Sequence, residues 1–245
     1  MVQSIAYGVI VIVVAAIVAA ARTAGWQPYS ALRTSRLIAS LAAMTGAMAL
    51  LACSPGAPDV PPVVSGPAPD SFRVAFTTSR GTFVVGVTRA WAPHGADRFR
   101  ELVLNGFFDD DRFFRVVPEF VAQFGINDSR KLNEAWDAKP IADDSVRGTN
   151  KRGAVVFASE GPGTRSHQVF VNLTDQVHLD KMGFAPIGRV VEGMGVVDSL
   201  YSAYGENPSQ HLVQTLGNSY LRRMFPKLDY IISARVVGDG AGAAK

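Results

Sequence analysis

Hydrophobic and polar positions alternate at Phe72, Val74 and Phe76, the period of a half-buried strand. Thr78-Ser79-Arg80-Gly81 supplies a turn and 83–87 a returning apolar run, so the segment predicts a β-hairpin. Ala92-Pro93 then opens a helix in which Phe99, Leu102 and Val103 share a face, and Asn105-Gly106 closes it with a pair suited to left-handed backbone. Asp109-Asp110-Asp111 reads as a solvated turn, and 127–151, polar and without period, as a long surface loop. Apolar runs at 153–158, 168–172 and 186–191 predict strands, separated by the turn-rich loop 159–166 and a loop holding His178-Leu179-Asp180. Met194, Val197, Leu200 and Tyr201 have helical spacing, whereas 204–226 is irregular with one short helix expected at 218–224. Leu228, Tyr230, Ile232, Ala234 and Val236 alternate as a closing strand. Many strands and two main helices without a βαβ rhythm predict a mainly β fold, an antiparallel barrel or sandwich.

One stretch breaks the pattern. Residues 113–125 are largely apolar, yet carry Arg115, Glu119 and Gln123. A buried Arg or Gln is costly unless it is paired, so a core strand should not hold both without a reason. At strand spacing Arg115 and Gln123 face the same way, and the pair becomes a candidate site.

The front of the chain has a different character. Residues 4–21 form an uncharged apolar run of 18, about the minimum for a bilayer-spanning helix. A second run, 37–52, comes after Arg33 and Arg36 and ends Leu50-Leu51-Ala52-Cys53, like a signal-peptide core with small residues at its end. Leu-Leu-Ala-Cys resembles the lipobox of bacterial lipoproteins, which implies lipidation of Cys53; an ordinary signal anchor is the other reading. Either translation starts downstream of Met1 or there are two membrane segments. In both cases Arg22, Arg33 and Arg36 belong on the cytoplasmic side, and the chain beyond Cys53 is expected to be extracytoplasmic. Six prolines among residues 54–70 predict an extended tether. The expected organisation is a membrane segment or lipoprotein-type signal over 1–53, a linker over 54–70, a globular domain over 71–238 and a flexible tail over 239–245.

Charge and composition narrow the function. The net charge of +3 comes from the front end: removing its three arginines from 24 basic residues leaves 21 against 21 acidic ones. The folded part is neutral, so nucleic acid is not an expected partner. A single cysteine excludes an intrachain disulfide. Nucleophile-elbow, P-loop, H-E-x-x-H and paired-cysteine motifs are missing, and His94, His167, His178 and His211 are scattered, reading as surface or loop residues rather than metal ligands. Neither metal nor cofactor is expected.

Two blocks resemble the cyclophilins, the barrel-type peptidyl-prolyl cis-trans isomerases. The family pattern F-H-R-V-[IV]-P-x-F-x-x-Q-G-G is similar to Phe113-Phe114-Arg115-Val116-Val117-Pro118-Glu119-Phe120-Val121-Ala122-Gln123-Phe124-Gly125. A second, M-A-N-x-G-P-x-T-x-x-S-Q-F-F, resembles residues 157–170, where Ala158, Ser159, Gln168 and Phe170 fall on matching positions. The resemblance implies a closed eight-stranded antiparallel barrel capped by two helices. It implies Arg115 as the catalytic arginine with Gln123 as its partner, Phe120, Val121, Phe170 and Leu179 around the proline ring, and Ala158, Ser159 and Gln168 along the adjoining groove. His178 stands where eukaryotic members have a Trp, Ser159 replaces a common Asn, Glu119 a usual Gly, and the family's pocket histidine has no clear match. The expected function is X-Pro isomerisation in exported, proline-containing polypeptides by a membrane-tethered monomer. A weakly catalytic module that binds proline-containing segments is the alternative.

Overall fold

The computed structural model describes residues 66–239. The expected membrane segments, Cys53, most of the linker and the tail beyond 239 lie outside the described residues. Among those described, no helix is long and apolar enough to cross a membrane.

Strand β1 (Ser71–Thr78) pairs antiparallel with β2 (Gly81–Thr88) over its full length, from Ser71↔Thr88 to Thr78↔Gly81. Gly81, at φ +126°, lets the chain reverse, and Thr78 Oγ1 donates to its carbonyl at 2.8 Å. The inward positions Phe72, Val74 and Phe76 are buried, and Phe76 stacks on Phe83 with ring centroids 4.9 Å apart. Phe99, Phe108 and Phe124 close around Phe76. Each buried phenylalanine contributes about 1.5–3 kcal/mol of transfer free energy, so this aromatic cluster dominates the core.

The remaining strands are β3 (Arg115–Val116), β4 (Val121–Phe124), β5 (Ala154–Phe157), β6 (Val169–Asn172), β7 (Pro186–Glu192) and β8 (Ile231–Asp239). They form one antiparallel sheet of eight strands in the order β3-β4-β6-β5-β7-β2-β1-β8. The expected closed barrel is corrected here to a half-barrel. The outer strands β3 and β8 do not form a ladder; their flanks meet at one bridge, Arg112↔Tyr230. Phe113 N donates to Asp229 O at 3.0 Å and Ile231 N to Asp111 O at 2.7 Å. Strand β3 is only two residues long, and the outer side of its Val116 is already taken by a bridge to Gly205, which leaves no edge for β8.

Helices exceed the expected pair. Helix α1 (Pro93–Leu104) matches the predicted one and buries Phe99, Leu102 and Val103. Helix α2 (Arg130–Asp137) lies in the stretch expected to be loop; Ser129 caps it and Trp136 is buried. Two short helices, α3 (His178–Lys181) and α4 (Met194–Asp198), flank β7. Helix α5 (Gln210–Met224) is twice the length expected, and two helical pieces join in it across a kink at Gly217 (φ 60°, ψ −150°). Its buried Val213, Tyr220 and Leu221 form a second apolar core with Phe114, Ile126 and Leu228.

Candidate active site

The stretch that breaks the hydrophobic pattern folds as a tight hairpin. Val117 N donates to Val121 O at 2.9 Å, and the register sets Arg115 directly opposite Gln123. Cross-strand partners put their side chains on one face, so Arg115 Nη1 donates to Gln123 Oε1 at 3.2 Å. Gln123 Nε2 passes the chain on to Gln168 Oε1 at 2.9 Å. Strand β6 runs beside β4 with Phe170 opposite Gln123, bringing the second sequence block to the first. The Arg115 guanidinium carbon sits 5.2 Å from the centroid of the Phe120 ring, within cation–π range. The turn itself is strained: Glu119 has φ 61°, a conformation open to glycine and costly for most other residues. Two hydrogen bonds to its carbonyl hold it, from Thr174 Oγ1 at 2.6 Å and Gln176 Nε2 at 2.8 Å.

These side chains line a cavity of about 550 Å³. One wall is apolar, made by Phe120, Val121, Phe170, Leu179 and Phe184. Ala158 packs against this apolar cluster, and the polar part of the lining is made by Arg115, Gln123, Gln168 and Ser159. Of the residues expected at the site only His178 is missing from the lining; it is exposed at the start of α3, whose Leu179 turns inward instead. Ser159 faces its own loop, donating to Gly161 O at 2.6 Å. Pattern reasoning misses Phe184, Glu160 and Thr164 on the rim, and Gln210 and Gln214 from α5. It also misses Glu206, whose Oε1 accepts from Arg115 Nε at 2.8 Å and contacts Nη2.

Behind the site two groups expected at the surface are buried. His167 is fully enclosed, its Nδ1 2.5 Å from Gly125 O and its Nε2 2.9 Å from Asp137 Oδ1. Partial burial pushes the Asp137 carboxyl upward, but His167 and the Ser166 hydroxyl outweigh it and hold the group below its usual range. The acidic triplet is a solvated turn only in part: Asp109 pairs with Arg235 and the exposed Asp110 with Arg222, both at 2.7 Å, whereas Asp111 is buried. Asp111 Oδ2 accepts from Gly125 N at 2.6 Å, while Oδ1 has no hydrogen-bond partner among the described residues. Burial raises the pKa of this carboxyl well above its usual value, against the pull of the backbone N–H groups of Gly125, Arg112 and Ile126.

A raised folded-state value means that the native protein binds this proton more tightly than the unfolded chain. The stabilisation is complete below the unfolded value, near 4, and is lost as pH rises through the folded one. Asp111→Asn removes the titration, so its stability relative to the parent is expected to rise as pH increases above about 4. Urea midpoints of both proteins at several pH values test this, and parallel curves would refute it.

A half-barrel sheet with one arginine stacked at the edge of an apolar pocket defines a β-sheet protein suited to gripping a small apolar ring beside a polar chain. Comparisons with known proteins specify it. Residues 73–216 match the model of the family described as cyclophilin type peptidyl-prolyl cis-trans isomerase/CLD. Peptidyl-prolyl cis-trans isomerase A of Dickeya dadantii is 32% identical over 147 residues, covering 57% of this chain and 76% of the relative. A peptidyl-prolyl cis-trans isomerase of Acinetobacter baylyi is 30% identical over 144 residues, 56% of this chain and 76% of the relative. A cyclophilin-type isomerase of Cryptosporidium parvum shares the fold, with a TM-score of 0.52 at 16% identity over 69% of this chain and 98% of its own. The chain belongs to the cyclophilin-type peptidyl-prolyl cis-trans isomerases, and it is an enzyme of that activity.

Proposed function

We propose that Arg115, assisted by Gln123, carries the isomerisation, and that Phe120, Val121, Phe170 and Leu179 hold the proline ring. The observation that carries this reading is the Arg115 guanidinium, bonded to Gln123 and stacked on Phe120 at the lip of the apolar wall. Rotation about an X-Pro bond is slow, with a barrier near 20 kcal/mol, because it breaks amide resonance. In the twisted state the proline nitrogen regains its lone pair, and a guanidinium directed at it favours that state over the planar ones. An acceleration of about 10⁵-fold requires roughly 7 kcal/mol, more than one charged hydrogen bond supplies. Enclosure of the ring by the apolar wall and positioning of the preceding peptide along Ala158, Ser159 and Gln168 contribute the rest.

The clients are proline-containing polypeptides on the far side of a membrane, met by a tethered monomer. The apolar runs before Cys53, the arginines among them and the proline-rich stretch after it support this placement. Acceleration of cis-to-trans conversion in a prolyl peptide by the full chain tests the catalytic assignment, with Arg115→Ala as its control. For the tether, the mass of the mature protein is expected to show a diacylglycerol adduct on Cys53; an unmodified thiol, or a Cys53→Ser chain that stays membrane-bound, would replace the lipid with a spanning segment.

A further inference from the structure

We propose that Glu206 is a positioning residue of the active site, an acid that locks the orientation of the Arg115 guanidinium; the proposal rests on Arg115 being the catalytic group. A guanidinium has five N–H donors. Gln123 takes one from Nη1, and Glu206 engages Nε and Nη2, so opposite sides of the fork are fixed and two N–H groups stay free for a ligand. The Phe120 ring covers one face of the same plane. With Gln123 alone, the fork would hang from a single hydrogen bond and swing about its terminal torsions.

An exposed ion pair generally contributes little, because two long side chains must be ordered to make it. Glu206 is itself 63% exposed, so its value depends on how firmly its backbone is placed. That backbone is anchored. Gly205 bridges Val116, the neighbour of Arg115 on β3, and Gly205 N donates to Ser202 O at 3.0 Å. Asn207 N donates to Tyr204 O, also at 3.0 Å. The Tyr204 ring packs edge-on against Tyr201 and Phe225, with centroids 4.9 and 5.1 Å away, and Phe225 packs on Tyr220. Ser209 N donates to the Tyr220 hydroxyl, tying the start of α5 to its far turn. The excursion from 204 to 226 is thus a small scaffold packed on Phe114, Ile126 and Leu228, and its Gln210 and Gln214 line the cavity.

Isomerisation of a tetrapeptide with a central X-Pro bond, measured on the full chain, separates the possibilities. Glu206→Ala is expected to lower kcat about 5- to 10-fold with KM within about twofold, the signature of lost orientation rather than lost binding. Glu206→Gln keeps an acceptor oxygen and is expected to recover most of the rate. The ¹⁵N resonance of Arg115 Nε–H supplies an independent readout, protected from solvent exchange in the parent and in Glu206→Gln and lost in Glu206→Ala. A Glu206→Ala enzyme as fast as the parent, or faster because the acid acts as a brake, would overturn the proposal while Arg115→Ala remained inactive. Should the parent itself give no acceleration, the role of Arg115 fails instead, and the Nε–H signal still decides whether Glu206 holds the guanidinium.

Discussion

Arg115→Ala is expected to lower the isomerisation rate at least about 100-fold and to leave the fold in place, a loss of roughly 2.7 kcal/mol of transition-state stabilisation. The two halves of that expectation have separate grounds. Among the described residues Arg115 is the only cation lining the cavity, so no neighbour there can supply the missing N–H groups. Its structural contacts are replaceable: Gln123 keeps its hydrogen bond to Gln168, and Glu206 is free to turn to water. Arg98 gives the opposite case. Its side chain is 8% exposed, donates to Ser166 O at 3.0 Å and Lys139 O at 2.7 Å, and lies 4.9 Å from the Trp136 ring centroid. Truncating Arg98 would leave the Ser166 carbonyl without its donor inside the fold and remove a second, partly buried bond to Lys139 O, so its effect should appear in the melting curve rather than in the rate of the folded enzyme. Prolyl-peptide kinetics and thermal unfolding on both variants make the comparison. Retained activity in Arg115→Ala, or a collapse of its melting transition, would remove the arginine from its proposed role.

What the sequence makes legible is local, and what it hides is set by distant partners. The hairpin of β1 and β2 needs only alternation and a glycine at the turn, and both are visible in the chain. The pairing of Arg115 with Gln123 is also foreseeable from strand spacing, although the polypeptide achieves it by folding back on itself rather than along one strand. Helix α2 is hidden because its stretch is charged; it is held by the Ser129 cap and the burial of Asn133 and Trp136, with a small addition from the exposed Arg130–Glu134 pair at 2.7 Å. His167 and Asp111 look like surface residues because nothing near them in sequence announces that Asp137 and Gly125 enclose them. His178 illustrates the limit of carrying positions over from a family. One turn of α3 directs Leu179 into the cavity and leaves its neighbour His178 outside. Glu206 lies in a segment with no pattern at all, 91 residues from the arginine it contacts.

Gly125→Ala is expected to destabilise the protein by about 3 kcal/mol, the upper range for a single strained backbone position combined with a steric clash. Gly125 closes the stretch that carries Arg115 and Gln123, and it has φ +104°, a conformation that L side chains rarely adopt. A Cβ there would stand 2.5 Å from His167 O, 2.8 Å from Gln168 Cα and 3.2 Å from Val169 N. All three are backbone atoms, so no side chain can turn aside to make room. The strain must be relieved by parting β4 from β6 next to the Phe124↔Val169 pair, which draws Gln168 away from Gln123. Activity in the molecules that remain folded should therefore fall as well. Gly195→Ala supplies the contrast: it lies within α4, its backbone is not in the left-handed region, and nothing stands within 4 Å of the new methyl. That substitution restricts the unfolded chain more than the native one and is expected to be neutral or stabilising by up to about 1 kcal/mol. Urea unfolding of the two variants measures both quantities. A Gly125→Ala midpoint equivalent to less than about 1 kcal/mol of loss would mean that β4 and β6 tolerate separation, and that the Gln123–Gln168 link is not held by the close approach of their backbones.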